Sequence, residues 1–193
     1  MSDGNPIAND MRKLDALLRD HVAPHLPSTT SDLRILNLAC GECNEAETLV
    51  SFGKSHAGGD VKIIGADIRI REILKARERC ANLPAEFLLE DATNLNAHKQ
   101  IGEDFNMVLL RHQNFWHGPN LWKKIFMQGL EKTGNDGLLV ITSYYDKEHQ
   151  LALDALRELG AELVVTRRNQ EARKLRTPGK SVDRHLAVFK RPR

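Results

Sequence analysis

Met11, Leu14, Leu18 and Val22 recur three or four residues apart, which places them on one face of a helix. Asn5-Pro6 supplies a cap and a first helical proline, and Pro24 and Pro27 stop the helix. This opening helix is expected to flank the main sheet or cover it as a lid. From residue 33 the pattern changes. Short apolar runs, Leu33–Ala39, Val61–Asp67, Ala85–Leu89, Phe105–Leu110 and Gly137–Thr142, alternate with helix-period segments. The first of those helices covers Asn44–Phe52. The second carries Ile70, Ile73, Leu74 and Ala81, the third Trp122, Ile125, Phe126 and Gly129, and the fourth Ala152, Ala155, Leu156 and Leu159. Two further strands, Glu162–Thr166 and His185–Lys190, close the chain with no helix between them.

Strands that alternate with helices predict a parallel sheet covered on both faces. Two final strands without a crossover helix make the last one antiparallel. The expected fold is α/β: one doubly wound, mostly parallel seven-stranded sheet with an antiparallel strand near the C-terminus, plus an N-terminal helix. One domain over 1–193 is expected, with a helical extension at 1–28 and a core at 33–190. In such sheets ligands bind beyond the carboxyl ends of the strands. Function is therefore expected in the loops after Ala39, Asp67, Leu89, Leu110 and Thr142, and after the sixth strand.

Composition narrows the classes. Of the 193 residues, 41% are hydrophobic and 28% charged, as in ordinary soluble domains. No run approaches the roughly 18 apolar residues of a membrane span. The polar start MSDGNPIAND is unlike a secretory signal, so a cytoplasmic protein with no membrane partner is expected. Cys40, Cys43 and Cys80 are too few for a disulfide framework. His112 and His117 lack the further ligands that a metal centre needs, so no metal is expected.

The first strand runs into Ala39-Cys40-Gly41-Glu42-Cys43-Asn44. A pyrophosphate-binding turn wants three glycines, and this one has a single glycine and a glutamate. A carboxylate there would repel a pyrophosphate but not a cationic nucleoside. A nicotinamide oxidoreductase is therefore disfavoured. Cys40 and Cys43 also form a C-x-x-C pair, but small residues filling the loop explain them better than redox catalysis.

ILNLACGEC at 35–43, IIGAD at 63–67, LLEDATNL at 88–95 and FNMVLLRHQNFW at 105–116 follow one another in an order and spacing that resemble the class I S-adenosylmethionine-dependent methyltransferases. The resemblance covers residues 33–190. It implies S-adenosylmethionine as cofactor, held by Asn37, Ala39, Cys40, Gly41, Asp67, Ile68, Asp91, Ala92 and Arg111. Asp67 would bind the ribose hydroxyls, Asp91 the adenine amino group, and the Ala92 amide a ring nitrogen. The chain departs from the family at Asn37, where an acid is usual, and at Ala39 and Cys43, where glycines are common. An asparagine can accept a hydrogen bond from an ammonium but adds no charge.

Methyl transfer from a sulfonium needs alignment more than a nucleophile, and a base only where the acceptor must lose a proton. His112 is the candidate base or positioning group. Gln113, Asn114, Trp116 and Tyr144 are candidate substrate contacts, with Phe115 or Trp116 as a wall. Charge is uneven: residues 167–193 hold ten Lys or Arg against Glu171 and Asp183, a local +8, which leaves −6 elsewhere in a chain of net +2. Arg173 and Arg176, with Lys174 and Lys180, stand in a loop expected at the site mouth. They suit an anionic small molecule or RNA as acceptor, or serve as a solvated surface. The competing reading is a non-catalytic nucleoside- or RNA-binding protein of the same fold.

Overall fold

A computed structural model describes residues 5–27 and 31–192. The polar start at 1–4 and the expected boundary at residue 28 lie outside the described residues. Seven strands form one sheet: β1 (Leu33–Leu38), β2 (Val61–Asp67), β3 (Ala85–Leu89), β4 (Phe105–Arg111), β5 (Thr133–Ser143), β6 (Glu162–Arg168) and β7 (His185–Lys190). Five α-helices accompany them among the described residues: α1 (Pro6–His21), α2 (Ala46–Lys54), α3 (Ile70–Arg79), α4 (Pro119–Lys132) and α5 (Asp146–Glu158). The spatial order is β3-β2-β1-β4-β5-β7-β6. The strands from β3 to β5 are parallel neighbours, and β7 is antiparallel to both β5 and β6. β6 therefore runs in the direction of β1–β5, and the loop after it opens at the same end of the sheet as the glycine turn. The order reverses between β1 and β4, the switch point where such sheets bind ligands.

Alternation along the strands divides the core into two layers. Leu33, Ile35, Ile63, Met107, Leu109, Val140 and Val188 pack beneath α1 and α2. Leu36, Leu38, Ile64, Val108, Leu110, Ile141 and Phe189 pack beneath α4 and α5. The opening helix is thus a full member of one layer rather than a lid, because Leu14, Leu18 and Val22 are completely buried there. A salt bridge adds a polar tie: Arg173 of the β6–β7 loop grips the buried Asp10 of α1 at 2.5 Å.

Four elements differ most from their expected form. α2 runs from Ala46 to Lys54, two residues later than the expected Asn44–Phe52, because the left-handed turn at Cys43 carries the chain on to Glu45 before the helix begins. α3 ends at Arg79 and buries Ile73 and Ala76, whereas Ile70 and Leu74 are about half exposed at 48% and 54% and Ala81 lies beyond the helix. The reason is position: α3 covers the sheet margin at β3, so much of its surface faces water. β5 begins at Thr133 instead of Gly137, passing a register shift opposite Phe105 and Met107. A side chain at Gly137 would collide with the Phe105 carbonyl, and that close approach is what permits the extra pairing. β6 extends to Arg168, two residues past its expected end, through pairing with β7.

Gly65 brings β2 close to both β3 and the first loop. A Cβ there would lie 2.6 Å from Phe87 Cδ1 and 3.0 Å from Cys40 Sγ. Gly65→Ala is expected to destabilise the fold by about 1–3 kcal/mol, the cost of overpacking a filled core. Urea denaturation checks this, and an unchanged midpoint would contradict the packing described.

Candidate cofactor and acceptor site

β1 ends at Leu38, and the chain turns through Ala39–Glu45 into α2. Ala39 and Cys43 adopt φ of +51° and +50°, and Gly41 +56°. The turn thus has left-handed backbone at the two positions where the methyltransferases it resembles commonly have glycine, and this chain carries side chains at both. Cys40 and Cys43 are free thiols in a small apolar cluster with Cys80, Ile73 and Phe87. The neighbouring Cys40 thiol and then burial raise the Cys43 thiol well above its ordinary value, which suits packing rather than thiolate chemistry.

Asp67 ends β2 and is 3% exposed. Its carboxylate accepts the Gly41 amide at 2.8 Å, the Arg69 amide at 2.9 Å, and Arg69 Nε and Nη2 at 3.0 and 3.1 Å. Burial alone would raise this carboxyl, but the Arg69 guanidinium and the two amides hold it below its ordinary value. Asp67 therefore fastens the first turn to the second. Asp91 is exposed and accepts both the amide and the hydroxyl of Thr93 at 2.8 Å, which lowers its carboxyl.

Two adjoining lobes open at the carboxyl ends of the strands. The first, of about 340 Å³, is lined by Ala39, Asp67, Ile68, Arg69, Asp91 and Ala92, and closed by Leu121, Trp122 and Ile125 of α4. The second, of about 490 Å³, is polar and includes Cys40, Gly41, Glu42, Glu45, Glu72 and Tyr144. Ala39, Arg69, Arg111 and His112 border both.

Behind the second lobe lies a buried polar network. Arg111, at the end of β4, donates to Asp183 through Nε at 3.0 Å and Nη2 at 2.7 Å, and to Glu45 through Nη1 at 3.2 Å. Thr142 Oγ1 donates to Asp183 at 2.8 Å. Asn37 is fully buried and donates to Glu45 Oε1 at 2.6 Å. Burial acts to raise the Asp183 carboxyl, but Arg111 and His112 overwhelm it and hold that group far below the carboxylate range. His112 has φ +61°, stacks on Tyr144 at 3.9 Å and sets Nε2 2.8 Å from Asp183 Oδ1. The same Nε2 is 3.1 Å from the Asp183 amide. Nε2 thus faces an acceptor, the Asp183 carboxylate, and a donor, the Asp183 amide, and each tautomer satisfies one of the two.

The expected substrate contacts separate. Tyr144 borders the second lobe, with Lys180 Nζ over its ring, 4.2 Å from the centroid. Gln113 does not reach the mouth: it is fully buried and donates to Ser143 Oγ at 2.7 Å. Asn114 is exposed and lines neither lobe. Trp116 is 38% exposed and leans on Tyr145, outside both lobes, and Phe115 is core, stacked on Phe126. Arg173 is occupied by Asp10, because that buried carboxylate needs a cation. Arg176 remains exposed on the loop. Asn37 stands behind Glu45 rather than in the cavity wall. Sequence reasoning missed Arg69, Glu45, Leu121, Trp122 and Asp183. Asp183 alone left a signal, as an acid in a basic tail just before an apolar strand.

No protein-family model matches the chain, and no curated protein matches it in sequence. Solved structures match over nearly its whole length. The N-methyltransferase NodS from Bradyrhizobium japonicum WM9 aligns with a TM-score of 0.67 at 15% identity, over 99% of each chain. An S-adenosylmethionine-dependent methyltransferase from Clostridium acetobutylicum ATCC 824 gives 0.66 at 10% identity, covering 95% of this chain and 92% of that one. An rRNA methylase from Streptococcus thermophilus gives 0.61 at 15%, over 100% of each. The fold is that of the class I methyltransferases. Within this methyltransferase fold, the two lobes lie where the first, second and fourth strands end.

Asp183→Asn is expected to cost about 3–5 kcal/mol at pH 7, because it leaves Arg111 buried with a single partner. The wild-type carboxyl is depressed in the folded state. Its stabilisation is therefore complete above the unfolded value of about 3.9 and is lost as pH falls below it. Denaturation at pH 7 and pH 3 should show the gap between the two proteins narrowing in acid. A gap independent of pH would contradict the pairing.

Proposed function

We propose that the chain is an S-adenosylmethionine-dependent methyltransferase with an acceptor of anionic character, either a small molecule or RNA. The observation that supports this most directly is the pairing of an apolar slot, bordered by Asp67 and Asp91, with a polar, acidic lobe on one ridge of the sheet. The residues present fit the cofactor. Ile68, Ala92, Leu121, Trp122 and Ile125 would enclose a flat base, and Asp67 would take a diol. Cys40, Gly41 and Glu45 surround the place left for an amino-acid tail. When bound, the cofactor supplies a methyl group already activated on a sulfonium.

The chain's own residues then have three tasks. Arg69 must release Asp67. Its side chain is 60% exposed and can turn into solvent, while the buried carboxylate keeps the Gly41 and Arg69 amides. A ligand diol then replaces the guanidinium, each hydrogen bond to the carboxylate contributing about 1.5–3 kcal/mol. Tyr144 and His112 form a flat wall between the lobes. His112, anchored on Asp183 through Nε2, positions the acceptor, or takes its proton where it has one to lose. The β6–β7 loop brings Lys174, Arg176 and Lys180 to the cofactor end of the sheet, which supports an anionic acceptor. Solubility in the cytoplasm is part of the same proposal; among the described residues no helix is long and apolar enough to cross a membrane.

One observation favours the non-catalytic nucleoside- or RNA-binding reading: the Arg69 guanidinium already occupies Asp67 and presents a cation at the lip. Calorimetry separates the two. S-adenosylmethionine and S-adenosylhomocysteine are expected to bind, and NAD is not. Asp67→Asn should weaken S-adenosylhomocysteine by about 1.5–3 kcal/mol in a protein that still folds. Heat from an oligoribonucleotide alone, falling steeply with salt, would instead support the binding protein.

A further inference from the structure

The polar lobe has an unbalanced charge. Glu45 and Asp183 are both buried, at 4% and 2% exposure, and Arg111 is the one guanidinium between them. Arg111 is committed mainly to Asp183, through contacts of 2.7, 3.0 and 3.2 Å, against a single 3.2 Å contact to Glu45. The neighbouring cations are also engaged. Lys75 pairs with Glu42 at 2.6 Å, and Arg69 with Asp67 at 3.0 Å. Arg79 donates to the carbonyls of Glu42 and Cys43. Glu45 thus borders the cavity as a buried carboxylate that is only partly neutralised.

It also has acceptor capacity to spare. A carboxylate offers about four lone-pair sites, and here Asn37 and Arg111 use one on each oxygen. Beside it, Asn37 Oδ1 is buried without a hydrogen-bond partner among the described residues. The amide cannot be turned round to relieve this, because Oδ1 would then face Glu45 Oε1 at 2.6 Å. Spare acceptor capacity on Glu45 and excess negative charge suit a group with several N–H donors and one positive charge. A divalent metal fits less well, since among the described residues no set of three His, Cys, Asp or Glu side chains converges on one point.

We infer that Glu45, from the residue that leads into α2, supplies the negative charge for a ligand's primary ammonium, a charge that Asn37 cannot itself supply from β1. Asn37 acts through Glu45: its amide fixes the carboxylate, so the pair does what a single strand-end acid would do. The inference rests on the cofactor reading above, and assigns the amino-acid end of that ligand to the polar lobe.

The test compares two ligands that share an adenosine and a thioether. S-adenosylhomocysteine carries the ammonium, and 5′-methylthioadenosine does not. In calorimetry on the full chain, Glu45→Gln is expected to weaken S-adenosylhomocysteine by about ten- to a hundredfold, the equivalent of one hydrogen bond to a charged group. It should leave 5′-methylthioadenosine within about twofold of wild type, below 0.5 kcal/mol by the same conversion. Equal losses for both ligands, or no loss for either, overturn the assignment of Glu45 while leaving the cofactor reading intact. A wild-type protein that binds neither ligand overturns the cofactor reading and this inference with it. If Glu45→Gln does not fold, the wild type carries the test alone: S-adenosylhomocysteine must bind at least about tenfold more tightly than its deaminated analogue. Equal affinities overturn the inference.

Discussion

Arg111 holds two buried carboxylates from opposite ends of the sequence, and the arrangement of the site depends on that contact. Glu45 comes from the turn after β1 and Asp183 from the approach to β7, so one guanidinium at the end of β4 joins the first motif to the last strand. Removing a charge from water costs several kcal/mol per ion unless partners replace the solvent. The three groups are therefore mutually required, and none can leave without stranding another. His112 and Thr142 complete the set around Asp183, which fixes the ends of β4, β5 and β7 in one plane.

The two lobes persist although the first turn carries side chains at left-handed positions. The turn keeps its left-handed path at Ala39 and Cys43 although glycine would do so with less strain. Its path is held from outside. Asp67 accepts the Gly41 amide, Arg79 binds the carbonyls of Glu42 and Cys43, and Cys40 and Cys43 fill an apolar niche under α3. Tertiary hydrogen bonds thus impose a backbone conformation that the local sequence does not favour.

The basic tail divides in a similar way. Arg173 is spent on Asp10, and Arg184 on Asp146, so both serve to fasten the β6–β7 region to the helices. Lys180 lies over Tyr144 and extends the flat wall formed with His112. A net charge counted along the sequence overstates what is free to meet a ligand, because it includes cations consumed by internal partners.

The strand and helix alternation was legible from periodicity alone, since each element's pattern is local and repeats within a few residues. The seven strands, their parallel and antiparallel sense, and the placing of Asp67 and Asp91 beside one cavity follow from that pattern and from the order of the motifs. The partners of the charged groups were not legible. Arg111 finds Asp183 across 72 residues and Arg173 finds Asp10 across 163. Those meetings depend on strand order and on β7 reversing direction between β5 and β6, which no local window contains. Gln113 and Trp116 make the same point: both follow a strand end, yet the loop's path buries one and turns the other away from the cavity. Local periodicity sets which residues form the framework and at which end of the sheet the loops gather. Which charges are spent on one another and which stay open to solvent depends on the folded assembly, because burial and pairing are properties of neighbours brought together.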